Sequence, residues 1–214
     1  MKSNLEIFQD CFSRQRMRSY ETLSECGLNA DTMDLYLLNL DLCKELYPLL
    51  HCLEIGIRNK INESAKSFFK REDWFNCPAI KWDKIHLEQL QSASFNAKSN
   101  DEVICNLTFG FWANLFKRQY GSFLWKKVLK NIFYDNNANQ FYILSRLRNI
   151  NSLRNRIAHY EIIIKDKDIL KIRYDEILEV LNLLLPKDLV KCFLARNKFE
   201  NLFSELERKT MPPA

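Results

Sequence analysis

The chain has 214 residues, a formal net charge of +5 and a pI near 8.8, which is enough for one well-buried core and too short for two ordinary domains to be the expectation. Apolar residues make up 47% of it and only four Gly and five Pro interrupt them, so helices are favoured, and the mild basic surplus is compatible with a polyanionic partner without requiring one. Seven cysteines, an odd number without a CxxC pair, argue against a disulfide framework or a thiolate zinc site; they read as free thiols, mostly small core residues, of a reducing cytosol.

The segment from Met1 to Glu21 mixes acids and bases through its apolar positions and lacks the unbroken apolar stretch of a signal peptide. No run approaches the roughly 20 apolar residues that span a bilayer. A cytoplasmic protein with no membrane partner is therefore expected.

Along the chain, the spacing predicts a first helix over about Leu5 to Ser24, stopped by Gly27, and a second opening at Asp31, whose side chain can cap Met33 or Asp34. Leu35, Leu38, Leu42, Leu46, Leu49, Leu50, Leu53, Ile57 and Ile61 recur at three-to-four spacing and form one apolar stripe. Pro48 falls within that stripe and is expected to kink the helix or to start a new one running to about Phe69. The stretch Arg71 to Lys84 reads as irregular, Ile85 to Ala97 as helical, and Lys98 to Asp101 as a loop. Thr108 is placed to cap a helix reaching Tyr120 and ending at Gly121, followed by a short helix from Phe123 to Phe133. Turn-rich Asp135 to Asn139 precedes a long helix over about Gln140 to Ala158. Ile162 to Ile164 is the one β-type fragment; Asp166 or Asp168 caps the next helix, Pro186 starts or interrupts another, and a charged helix runs to about Lys209. The fold class is accordingly all-α, a single helical bundle.

At the end of the long helix stands Arg154-Asn155-Arg156-Ile157-Ala158-His159, a match to R-N-x-x-x-H. With 13 Arg, 20 Asn and three His in the chain, chance supplies this pattern about 0.02 times, against about 0.2 for the Arg-His spacing alone. On an α-helix the five-residue step from Arg154 to His159 covers about 7.5 Å along the axis and about 140° around it, while Asn155 lies nearly on the face of His159. Arginine offers a permanent, forked donor set for a pentacoordinate phosphorus, and histidine moves protons between oxygen atoms near neutral pH. Asn155 can orient the imidazole or bond the phosphate. Such groups suffice for attack of an RNA 2′-hydroxyl on its own phosphate without a metal, and no His/Asp/Glu cluster has metal-ligand spacing. An in-line displacement wants a base and an acid on opposite sides. Because His51 and His86 lie in no comparable motif, a two-fold dimer sharing one cleft is the economical arrangement. The bland alternative is that Arg154 and His159 only meet the helix dipole and the terminal carbonyls.

Leu153 to Glu161 closely resembles the signature of HEPN domains, and particularly of the bacterial Abi-like abortive-infection proteins. Leu53-Glu54-Ile55-Gly56-Ile57-Arg58-Asn59-Lys60-Ile61 resembles that family's early helix, Phe109-Gly110-Phe111-Trp112 with Leu115-Phe116 its central aromatic element, and Leu124-Trp125 the following helix. The likeness covers roughly residues 29–161, leaving 1–28 as an N-terminal helical extension and 162–214 as C-terminal helices of one domain. It implies a helical bundle, a homodimer with a composite site, metal-independent and cofactor-free RNA cleavage giving a 2′,3′-cyclic phosphate and a 5′-hydroxyl, and a toxin-like role in antiphage defence. An antitoxin protein or small RNA restraining the activity fits that role. Gly56 departs from the pattern, which bears on packing more than on chemistry.

His51, Glu54 and Arg58 fall on one helix face and, with Asn59, are candidates to support the site, although a surface ion pair explains Glu54 and Arg58 as well. Arg146, Arg148, Arg156, Tyr160, Lys117 and Arg118 are candidate RNA contacts, each with a solvated face as the alternative. The Phe109, Phe111, Trp112, Phe116 cluster suits a core better than a base-stacking platform. The competing functional reading is a non-catalytic RNA-binding or interaction module of a defence or toxin-antitoxin system.

Overall fold

The structure, a computed structural model, describes residues 4–25, 31–134 and 139–210. All regular structure among them is helical. Ten α-helices follow in order: α1 Asn4–Phe12, α2 Arg14–Glu25, α3 Thr32–Phe69, α4 Lys84–Ser94, α5 Asn100–Asn106, α6 Phe109–Asn114, α7 Gln140–Ala158, α8 Lys167–Leu184, α9 Lys187–Leu194 and α10 Phe199–Lys209. Single 3₁₀ or π turns lie between α3 and α4 and between α6 and α7.

The predicted first helix is two. Ser13 takes φ +70°, a left-handed value that no helix interior tolerates, and its Oγ accepts the N–H of Arg16 at 3.3 Å, opening α2. Gly27, the expected stop, lies outside the described residues, as do Cys26 and the turn at 135–138. Asp31 caps α3 as read, accepting the N–H of Asp34 at 2.8 Å. Pro48 neither ends α3 nor starts a new helix: it deletes one backbone donor, but buried Leu42, Leu46, Leu49, Leu50 and Leu53 on either side keep the apolar stripe in register.

Helix α4 begins where Asp83 accepts the N–H of His86 at 2.8 Å. The expected loop at Lys98 to Asp101 instead carries Ser99 as the cap of α5, accepting from Glu102 at 3.2 Å. Thr108 precedes α6 but makes no side-chain cap bond, and α6 stops at Asn114. From Arg118 to Ile132 the chain forms 3₁₀ and π turns in place of the expected Phe123 to Phe133 helix. Just before this segment the Gln140 amide donates to the carbonyls of Phe116 and Lys117 at 3.1 and 3.0 Å, satisfying acceptors past the end of α6. Asn139 caps α7 through Phe141 and Tyr142, and Asp166 caps α8 through Ile169. The β-type reading of Ile162 to Ile164 fails: these residues form a connection between α7 and α8, and no strand occurs among the described residues.

The chain divides into two compact units, each assembled from separate stretches. The first takes residues 1–49, 153–175 and 192–214 and is held by Met17, Tyr20, Leu35, Leu42 and Leu170, with Tyr174 stacked on Phe199 at 3.9 Å between ring centroids. The second takes residues 50–152 and 176–191. Its buried aromatics include Phe109, Phe111, Trp112 and Phe116, so this cluster packs and does not present a stacking surface. Gly56 explains itself there: a Cβ would stand 3.2 Å from Leu184 Cδ2 and 3.4 Å from Leu185 Cδ2, so α3 and α8 approach where a side chain is missing. Cysteine burial was overestimated, since Cys11, Cys105 and Cys192 are exposed and Cys43, Cys52 and Cys77 half-buried. No helix among the described residues is long and apolar enough to cross a membrane.

Candidate functional site

The sequence around Arg154 ends α7 in a specific way. The N–H of Glu161 bonds the Arg156 carbonyl at 2.8 Å and that of Tyr160 bonds Ile157 at 3.1 Å, the paired closure of a Schellman turn. The turn requires Tyr160 in the left-handed region, at φ +57°, a position usually given to glycine. His159 is the last residue before that reversal; its N–H bonds Asn155 at 2.9 Å and its side chain is exposed.

The connection after α7 is locked from within the first unit. Ile163 and Ile164 are buried, and the N–H of Ile163 donates to the buried Asn39 Oδ1 at 2.8 Å. The Arg156 guanidinium donates to the Ile162 carbonyl and lies 3.6 Å from the Glu161 carboxylate. It also faces Cys43, where burial pushes the thiol up to about 11 while the Arg156 charge pulls the other way. Arg156 therefore braces the turn that presents His159.

A depression of about 360 Å³ opens beside this turn, lined by Arg156, His159, Tyr160 and Glu161 on one side and by residues of α2 and its cap on the other, Arg16 and Ser19 among them. Arg16 is exposed and forms no ion pair among the described residues. Two guanidiniums, an imidazole, two tyrosines, two serines and a glutamine amide thus line one opening, with Glu161 the single carboxylate, a donor-rich set suited to an anionic ligand. Arg154, half-buried, and Asn155, exposed, lie on α7 just before it but outside its lining. The structure consequently joins His159 to Arg156 and Arg16, whereas sequence reasoning paired it with Arg154. In the sequence Arg16 stands between two other cations of the same segment, Arg14 and Arg18, and nothing local distinguishes it from them. Met17 and Tyr20 mark the buried face of α2, but nothing in the sequence says that this helix lies beside residue 159.

The supporting candidates belong to the second unit. His51 and Asn59 are exposed and Glu54 and Arg58 half-buried on α3, with Arg58 Nε donating to Asn59 Oδ1 at 3.1 Å. Among the expected RNA contacts, Arg148 and Arg118 are exposed and Lys117 half-buried, but Arg146 is engaged: its guanidinium lies 3.0 Å from Glu179, 3.8 Å from Glu176 and 4.3 Å above the Tyr142 ring.

The third histidine is wholly buried. His86 Nδ1 lies 2.7 Å from Asp83 Oδ1 and 3.0 Å from the Tyr120 hydroxyl, and its ring stacks on Trp82. Burial pushes its imidazole below the usual value, against the pull of the Asp83 carboxylate. Burial works to raise Asp83 too, but its bonds from the His86 N–H, the His86 ring and Gln119 prevail and hold the carboxyl at about 2. With its imidazole wholly buried, His86 serves the core. No group of three or more His, Cys, Asp or Glu among the described residues is arranged to hold a metal.

No protein-family model, curated protein or solved structure matches the chain.

Proposed function

We propose that the chain is a cytoplasmic, metal-independent endoribonuclease of the HEPN, Abi-like kind, acting as a toxin-like effector of antiphage defence. The observation that carries the reading is the exposed His159 at the closing turn of α7, opening onto a depression that Arg156 and Arg16 also line. In the reaction, a base takes the proton of an RNA 2′-hydroxyl as its oxygen bonds to the adjacent phosphorus. The P–O5′ bond breaks and an acid protonates the departing 5′ oxygen, leaving a 2′,3′-cyclic phosphate and a 5′-hydroxyl. One imidazole stands on one side of phosphorus only, so a second copy of the chain supplies the other, in a homodimer with a shared cleft. The arginines neutralise charge that grows on the phosphoryl oxygens in the transition state. An antitoxin protein or small RNA restrains the activity until infection.

Product-end analysis of total cellular RNA, wild type against His159→Ala, tests this. Cyclic-phosphate ends should appear with the wild type, persist with chelator and vanish in the variant; strict dependence on a divalent ion, or ends unchanged in the variant, overturns the reading.

One observation favours a second reading, a non-catalytic RNA-binding module. Arg154 lies outside the lining that holds His159, and Arg156 is already paired to Glu161. RNA binding that survives His159→Ala, weakens steeply with salt and yields no product ends would select it.

A further inference from the structure

We infer that the groove at the start of α7, in the second unit, is a binding site for single-stranded nucleic acid that works by base stacking. The inference concerns binding alone and does not depend on whether the chain cleaves RNA.

The groove is open and large, about 1130 Å³, and three aromatic side chains line it: Tyr134, Phe141 and Tyr142. Phe141 is 78% exposed and Tyr134 62% exposed, an unfavourable disposition for rings of this size unless something covers them. The backbone that carries two of the rings is held: the Tyr134 N–H donates to the Leu183 carbonyl at 2.9 Å and the Phe141 N–H to Asn139 Oδ1 at 2.9 Å, while the Tyr142 ring itself is held through its hydroxyl on Glu179. Little backbone freedom therefore remains to be lost when a ligand stacks on the rings.

Cations are placed to follow a phosphate backbone past those rings. Lys60 Nζ stands 4.7 Å from the centre of the Tyr134 ring and Lys187 is exposed on the lining, while Arg146, engaged by Glu179 and 4.3 Å from the centre of the Tyr142 ring, holds that ring in place. Glu179 is the one carboxylate of the lining, and Arg146 pairs with it at 3.0 Å. Ser145 and the amide of Asn182 add groups that can meet base edges. Flat apolar faces, alternating with cations and small polar groups, suit bases on a flexible single strand, because every base has a π-face and stacking tolerates any sequence. A docking protein helix would need a continuous aliphatic stripe. Leu183 is the only aliphatic residue of the lining.

Fluorescence anisotropy of the full chain with a labelled single-stranded oligodeoxynucleotide of about 12 nucleotides tests the site. Such a strand lacks the 2′-hydroxyl, so no cleavage of the kind proposed above can disturb the reading. Wild-type chain should bind it, and bind the matching duplex far more weakly. Phe141→Ala should weaken single-strand binding about tenfold, and Phe141→Trp should hold it within about twofold, since only the aromatic face matters. Circular dichroism checks that both variants are folded. Absence of wild-type binding, equal affinity for the duplex, or unchanged affinity in Phe141→Ala overturns the inference. So does a Phe141→Ala variant that loses self-association, read by light scattering, while its affinity for the strand stays the same; the groove would then be a protein contact.

Discussion

Asn39 Oδ1 and the backbone N–H of Ile163 meet at 2.8 Å although 124 residues separate them, and both residues are buried. Through this bond a side chain of α3 holds the connection that follows His159. Asn39→Ala leaves the Ile163 N–H without a partner in an apolar setting, at a cost of about 1–3 kcal/mol. Urea unfolding should show that loss; a change below about 0.5 kcal/mol would mean that the bond is not a tether. The same variant should loosen the 160–164 segment selectively, seen as faster amide exchange at Ile163 and Ile164.

Tyr160 occupies φ +57° with its side chain 73% exposed. Glycine accepts that backbone without strain and sacrifices little buried area. Tyr160→Gly should stabilise the chain by about 0.5–1 kcal/mol in urea unfolding. A destabilisation instead would show that the phenol ring contributes more to the turn than the backbone strain removes.

Gly56→Val places a branched side chain where even a Cβ stands 3.2 Å from Leu184. Crowding in a packed contact costs about 1–3 kcal/mol. Gly56→Ala, by contrast, should change stability by less than about 1 kcal/mol, because the gain in helix propensity opposes a contact with flexible leucine tips. Paired thermal melts of the two variants check the order; equal melting temperatures would contradict it.

Acid should destabilise the fold through His86 before it does so through Asp83. The His86 imidazole titrates below its ordinary 6.5 in the folded chain, so the unfolded state binds the proton first and stability falls as pH drops below about 6.5. The Asp83 carboxyl, held at about 2 against an ordinary 3.8, contributes stability that is lost only as pH falls through the interval between those values. Urea midpoints at about pH 7 and about pH 5 should therefore differ more in wild type than in His86→Phe, where the imidazole is gone. The same difference in both proteins would falsify the assignment.

Local signals were legible in the sequence wherever they act within a turn or two of helix. Asp31 and Asp166 announced their helices because a short acceptor side chain satisfies N–H groups three residues on. The leucine stripe from Leu35 to Ile61 announced α3 because its period is that of the helix. The boundaries of α7 were readable for the same reasons, and with them the placing of His159 at a helix end. Ser13 and Ser99 were misjudged where local preference and packing disagree: a left-handed serine splits α1 from α2 and a serine cap creates α5. Of the two outcomes expected at Pro48, a new helix is excluded, because α3 runs on through the proline between flanking buried leucines.

Only the tertiary structure decided which residues share a space. Arg16 stands beside His159 although most of the chain lies between them, while Arg154, five residues away, falls outside the same lining, because the left-handed turn at Tyr160 and the Asn39 tether aim the end of α7 toward α2 within the first unit. Gln140 bonds the carbonyls of Phe116 and Lys117, a contact no periodicity encodes, and the segment from Arg118 to Ile132 is a run of 3₁₀ and π turns where the spacing predicts a helix. Periodicity records the face a residue takes on its own helix; which distant helix that face meets depends on packing among many side chains at once, and that is where the candidate site is made.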